Sequence, residues 1–150
     1  MTIDWAKISR FAAPEKSVGY LLWQVTHAWQ RQVDEALLEL GITHLQFVLL
    51  AGIGWLTRSG DLLSQVQLAE FCNIDVMQIS QVVRKLETKA LVKRSGHPTD
   101  TRAKVLTLTP AGEAILEQAV PQIEQLDAAF FGRCDQAGLL AELIKLQTEV

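Results

Sequence analysis

Between Ser64 and Gly112 the spacing of the apolar residues changes from helical to alternating and back, and few folds accommodate that order. Ser64 precedes VQLAEFC, in which Leu68, Ala69 and Cys72 share one helical face. Asn73 suits the left-handed conformation that ends a helix, and Asp75 is a strong N-cap for the next one. That next helix places Ile79, Val82, Val83, Leu86 and Ala90 on one side. Met77, Gln78, Ser80, Gln81, Arg84, Lys85 and Thr88 fall on the other. Two short helices joined so tightly, the second polar and basic outside, form a helix-turn-helix pattern. The apolar period then drops to two. Leu91 to Arg94 reads as extended and Gly96 to Thr101 as a turn. In Ala103 to Leu108, Lys104, Leu106 and Leu108 face opposite to Val105 and Thr107. A hairpin directly after a helix-turn-helix is a wing.

Longer helices flank this unit. Residues 1–16 read as an arm with a short helix. Ser17 precedes a stripe of Val18, Leu21, Leu22, Val25, Trp29, Val33 and Leu37, which Gly41 ends. Thr43 caps the next helix, with Gln46 at the third position as in a capping box. This segment, THLQFVLLAGIGWL, is apolar on most sides and belongs at the centre. Gly52 and Gly54 weaken it locally but let another helix approach closely. Arg58 to Asp61 is a turn. Thr109-Pro110 opens a helix with the stripe Ile115, Ala119, Ile123, Leu126 and Phe130. Pro121 is expected to kink or break that helix, because it has no N–H to donate. After a corner at Gly132 to Asp135, a last helix carries Leu139, Leu140, Leu143, Ile144 and Leu146. The fold class is mainly α with a small β element (α+β), in one domain over 1–150. A winged helix-turn-helix at 43–108 lies between helices at 17–40 and 110–150.

Apolar residues make up 49% of the 150, enough for a packed core. The net charge of −3 points to no particular partner, but the distribution does. Val76 to Lys104 holds seven bases (Arg84, Lys85, Lys89, Lys93, Arg94, Arg102, Lys104) against Glu87 and Asp100, a net +5 in a segment with half of the chain's 14 basic groups. A phosphate backbone favours such a segment. The start, MTIDWAKISRF, does not read as a secretion signal, and the apolar stretch Phe47 to Leu56 is too short to span a bilayer. The expected location is the cytoplasm, with no membrane partner. No nucleophile–base pair, phosphate-binding glycine loop or metal-ligand spacing is present, so an enzyme is not expected.

LAEFCNIDVMQISQVVRKLETKALVKR followed by HPTDTRAKVLTLTPAG resembles the MarR family of bacterial transcriptional regulators. The resemblance runs from about Val18 to the C-terminus. Leu68-Ala69-Glu70 matches the start of the first helix of the helix-turn-helix. Leu86-Glu87 and Leu91-Val92 match the close of the recognition helix, and Asp100-x-Arg102 matches the wing tip. Leu108-Thr109-x-x-Gly112 matches the opening of the dimerisation helix, and Leu45-Gln46-Phe47-x-Leu49-Leu50 the entry to the central helix. The resemblance implies a homodimer joined by its terminal helices and bound to double-stranded DNA at a pseudo-palindromic operator. It further implies a repressor released by a small phenolic or aromatic effector. Two positions depart from the family pattern. Ala90 stands where glycine is usual, and Ala103-Lys104-Val105 follows Arg102 without the second acid of the wing.

On this reading the recognition helix enters the major groove. Gln78 and Gln81 can bond adenine edges, Ser80 several bases, and Met77 a thymine methyl. Arg84 reads guanine or holds phosphate, while Lys85 and Lys89 are phosphate contacts. Arg94 and Lys104 belong to the same DNA-facing set. Arg102 is expected in the minor groove. Asp100, two residues earlier on an extended strand, is expected to bind the Arg102 guanidinium and aim it.

Trp23, His27, Trp29 and His44 form the candidate effector pocket, with ordinary core and interface packing as the competing explanation. His27, His44 and His97 are too scattered to imply a metal, and no cofactor is implied. Cys72 reads as a small core residue, and Cys134 sits at a corner near the expected dimer interface. The alternative function is a helical interaction adaptor that has lost DNA binding, against which the +5 segment argues.

Overall fold

The computed structural model describes residues 2–147, so the last three residues of the expected 110–150 helical segment lie outside the described part. The chain forms α1 (Trp5–Ile8), a 3-10 turn at Pro14–Lys16, α2 (Val18–Leu38), α3 (His44–Thr57), α4 (Gln65–Cys72) and α5 (Val76–Thr88). A hairpin of β1 (Val92–Gly96) and β2 (Lys104–Leu108) follows, then α6 (Pro110–Phe131) and α7 (Gln136–Gln147). It is a winged helix-turn-helix framed by long helices, mainly α with one two-stranded sheet.

Side-chain caps set most of the helix starts. Ser17, Thr43, Ser64, Asp75 and Thr109 each accept a backbone N–H from the first turn of the helix that follows. Thr43–Gln46 is the reciprocal box expected, and Ser64–Gln67 is a second one that sequence reading missed. Asn73 is left-handed (φ 51°, ψ 48°) and turns α4 into α5.

Helix α3 is the centre of the core, with Leu49, Leu50 and Ile53 fully buried. Val33 and Leu37 from α2, Leu68 from α4, Ile79, Val83 and Leu86 from α5, Leu106 from β2, and Ala119 and Ile123 from α6 complete it. The α3 glycines do allow close approach. A Cβ at Gly52 would lie 3.0 Å from Leu68, and one at Gly54 would lie 3.1 Å from Leu116.

Four expectations need correction. Helix α6 runs unbroken through Pro121, which lies on the exposed side. The buried Ala119 and Ile123 anchor the turns on either side of the missing hydrogen bond. Ala90 is not on the inner face of α5, since it is exposed and lies beyond the end of that helix. It takes φ 57° in the turn to β1, the left-handed region that glycine occupies at less cost. The stripe of α2 is buried only in its second half, and Val18, Leu22 and Val25 are exposed. Finally, β2 does not bury just one face: Val105 and Leu106 are both covered. Ser64 bridges Val105, and the Leu106 N–H donates to the Leu63 carbonyl at 2.8 Å, so the loop before α4 pairs with the free edge of β2.

Candidate nucleic-acid interface

Asp75 builds the start of α5, the candidate recognition helix. One carboxylate oxygen accepts the Met77 and Gln78 amides at 2.8 and 3.3 Å, which fixes the first turn. Ile79, Val83 and Leu86 anchor the opposite face in the core. Met77, Gln78, Gln81, Arg84 and Lys85 are left exposed on one surface, with Ser80 half-buried at its margin. Met77 is 73% exposed, unusual for so apolar a side chain.

The wing is pinned at its base and shaped at its tip. At the base, the Thr109 hydroxyl donates to the Ala90 carbonyl at 2.6 Å, and the Thr109 N–H donates to Leu91 at 3.1 Å. A Cβ at Gly112 would lie 2.1 Å from that same Leu91 carbonyl, so only glycine fits where α6 crosses the hairpin. The strands pair from Val92–Leu108 to Gly96–Lys104. At the tip, His97 Nδ1 accepts the Thr99 and Asp100 amides at 3.2 and 3.1 Å, a role that needs its free lone pair. Sequence reading missed this function of His97.

The Asp100–Arg102 arrangement differs from the expected one. Both residues sit in the connecting turn rather than on a strand, so the same-side argument does not apply. Asp100 accepts the Arg102 backbone N–H at 3.0 Å, and the Ala103 N–H donates to the Asp100 carbonyl at 3.1 Å. Asp100 therefore places Arg102 by bending the backbone, and the Arg102 guanidinium has no carboxylate partner among the described residues. A cleft of about 320 Å³ separates the tip from the helix-turn-helix. Arg102 and Lys104 line one wall, Gln65 and Val76 the other.

Two of the expected phosphate-facing bases bond to other parts of the protein, Arg94 partly buried and Lys89 at the surface. Arg94 Nε lies 2.7 Å from Glu87 Oε2, with both side chains about three-quarters buried, and its guanidinium reaches Gln65 at 3.5 Å. This pair ties β1 to the end of α5 and to α4. Lys89 Nζ donates to the Gly41 carbonyl at 2.5 Å and to Gln46 Oε1 at 3.1 Å, at the corner between α2 and α3. Glu87, Gln65 and Gln46 had no role in the sequence-level site, because their partners are distant in the chain. Arg84, Lys85, Arg102 and Lys104 have no side-chain partner among the described residues.

The four candidate effector residues divide into two groups. Trp23 and His27 pack against each other on exposed α2 with their rings tilted by 39° and centroids 4.3 Å apart. Trp29 and His44 meet edge to face at 5.0 Å. Trp29 Nε1 donates to Asp127 Oδ1 at 2.7 Å, and its ring also meets Phe131. Burial pushes the His44 imidazole below its ordinary pKa, with Asp34 and Asp127 pulling partly the other way. A groove of about 410 Å³ between α6 and α7 is lined by Asp127, Phe131, Leu139 and Leu143 among others. Cys72 is half-buried and its thiol is pushed up by desolvation, which suppresses thiolate chemistry. Among the described residues no helix is long and apolar enough to cross a membrane.

Comparison with known proteins agrees with this geometry. The profile of the MarR family matches residues 42–104, the span from the α2–α3 corner to the wing. An uncharacterized HTH-type transcriptional regulator of Bacillus subtilis, YdcH, is 43% identical over 123 residues, covering 82% of this chain and 84% of that protein. The HTH-type transcriptional repressor Rv2887 of Mycobacterium tuberculosis is 31% identical over 121 residues, covering 81% and 84%. A solved structure of Bordetella bronchiseptica BpsR, described in terms of regulation of its DNA binding by 6-hydroxynicotinic acid, superposes with a TM-score of 0.79 at 27% identity. It covers 94% of this chain and 97% of that one. The winged helix-turn-helix, its exposed recognition face and these relatives together place the chain in the MarR family of transcriptional regulators, which are not enzymes.

Proposed function

We propose that this protein is a homodimeric, sequence-specific DNA-binding repressor whose grip on its operator is loosened by a small aromatic effector. The observation that carries the DNA reading is the exposed surface of α5 beside the wing. Met77, Gln78, Gln81, Arg84 and Lys85 are held outward by a helix whose other face is locked in the core. Ser80 sits at the edge of this surface for a base or phosphate contact. Gln78 and Gln81 suit adenine edges, and Arg102 suits a narrow minor groove. Lys104 flanks Arg102 as a phosphate contact. The M. tuberculosis relative's designation as a repressor supports the sign of regulation.

Dimerisation is supported by surface area. The chain exposes 10791 Å², whereas a compact monomer of its mass exposes about 7,600 Å². Much of the apolar part of that surface lies on the terminal elements: Trp5 and Ile8 on α1, Val18 and Leu22 on α2, and Leu140, Ile144 and Leu146 on α7. No residue of α7 is buried by the rest of the chain. A second copy covering these helices gives two recognition helices related by a two-fold axis, matched to a pseudo-palindrome. Effector control is supported by the Trp29–His44–Asp127 cluster, which joins α2, α3 and α6, and by BpsR, described as controlled by an aromatic acid.

The test is selection of binding fragments from a random DNA pool, followed by affinity measurements across salt concentrations and with phenolic acids added. Specific binding should weaken steeply as salt rises. Arg102→Ala should weaken it by roughly tenfold with the dimer intact. Failure to bind any fragment at low salt would favour the adaptor reading. Operator affinity indifferent to every aromatic acid tried would remove the effector from the proposal.

A further inference from the structure

We infer that Lys89 is a positioning residue, which latches the recognition helix to the corner of the long helices instead of meeting DNA. Its ammonium lies where three helix ends converge. Lys89 itself caps the C-terminus of α5, and the Gly41 carbonyl it bonds lies just past the C-terminus of α2. A cation there answers the partial negative charge of both helix ends. The second partner, Gln46, is 5% exposed and is the only buried polar side chain recorded among the described residues. Its Oε1 also accepts the Thr43 N–H, so one atom joins the α3 cap to the end of α5. Lys89 is itself exposed, so what directs its ammonium is the pair of bonds to Gly41 and Gln46, neither of which lies on the exposed face of α5.

The latch has a consequence for regulation. The neighbouring residue, His44, gives its backbone N–H to Asp34 of α2, and its ring packs on Trp29, which is bonded to Asp127 of α6. A continuous set of contacts thus runs from the α2–α6 pair through the 41–46 corner to the end of the recognition helix. A shift of α2 against α6 reaches α5 through Lys89. This deepens the DNA-binding reading above and rests on it for its functional consequence.

The experiment compares Lys89→Met, Lys89→Arg and Lys85→Met on selected operator DNA and, without DNA, by hydrogen exchange. Lys85→Met should remove a phosphate contact and lower the slope of log affinity against log salt by about one. Lys89→Met should weaken binding about three- to tenfold with the slope unchanged. Lys89→Arg, which keeps the cation, should recover most of that loss. Exchange should quicken in Lys89→Met at the amides of Leu86 to Leu91 and of Gly41 to Gln46, while the α3 core stays protected. A slope reduced as in Lys85→Met would make Lys89 a phosphate contact and overturn the inference. Unchanged affinity or unchanged exchange would overturn it too. If the unmodified protein binds no DNA, the DNA reading and the positioning role both fall, and the exchange measurement still decides whether the latch exists.

Discussion

Ala90 sits in a left-handed backbone conformation, and the residue pays for it. At φ 57° an L side chain is strained, while Ala90 is exposed and offers no packing in return. Ala90→Gly should therefore stabilise the protein by roughly 0.5–1 kcal/mol, after allowing for glycine's greater freedom when unfolded. Urea unfolding measures this, and a loss of stability would mean that the turn tolerates alanine. His44 supplies a pH effect. Burial lowers its pKa below 6.5, so the folded state prefers the neutral ring. The stability associated with this group is present above that value and is lost as pH falls through the lowered one. His44→Gln should make the melting temperature less sensitive to acid below about pH 6. Identical pH profiles for both proteins would contradict the assignment.

The elements differ in how much of their geometry is local. The caps at Thr43, Ser64 and Asp75, the left-handed Asn73 and the inward face of α5 up to Leu86 follow from neighbouring residues and were readable from the chain, as were the helix starts at Ser17 and Thr109. Asp75→Ala should cost about 1 kcal/mol, because the Met77 and Gln78 amides lose their acceptor. On the proposed function it should also weaken operator binding, since the first turn of α5 would fray where it meets bases. Circular dichroism and binding titrations follow the two effects. The wing was less legible. Its strands alternate in sequence, yet Val105 and Leu106 on opposite faces of β2 are both buried, and Leu63 and Ser64 pair with its outer edge. Asp100 and Arg102 have strand-like spacing, but the turn holding them is set by His97 and by the Asp100 carboxylate bonding backbone. Counting bases treats Arg94 and Lys89 like the others, but only the packed structure shows that Glu87 pairs with Arg94 and that the Gly41–Gln46 corner accepts Lys89.

For the molecule as a whole, the proposed dimer would cover the exposed apolar faces of α1, α2 and α7. If they meet a second copy, unfolding must depend on protein concentration. Leu140→Glu with Leu143→Glu should shift the protein toward monomer in light scattering, lower its melting temperature and reduce operator affinity. A variant that stays dimeric would place the interface elsewhere.

The order of elements, the helix starts, the helix-turn-helix and the polar outer face of α5 were legible in the chain, because caps and apolar periods act over three or four residues. Which bases find partners within the protein depends on packing. Lys89 and Arg94 find partners within the protein while Arg84 and Arg102 do not among the described residues, because the carboxylate, carbonyl and amide groups that hold the first two lie 7 to 48 residues away and meet them only when the helices pack.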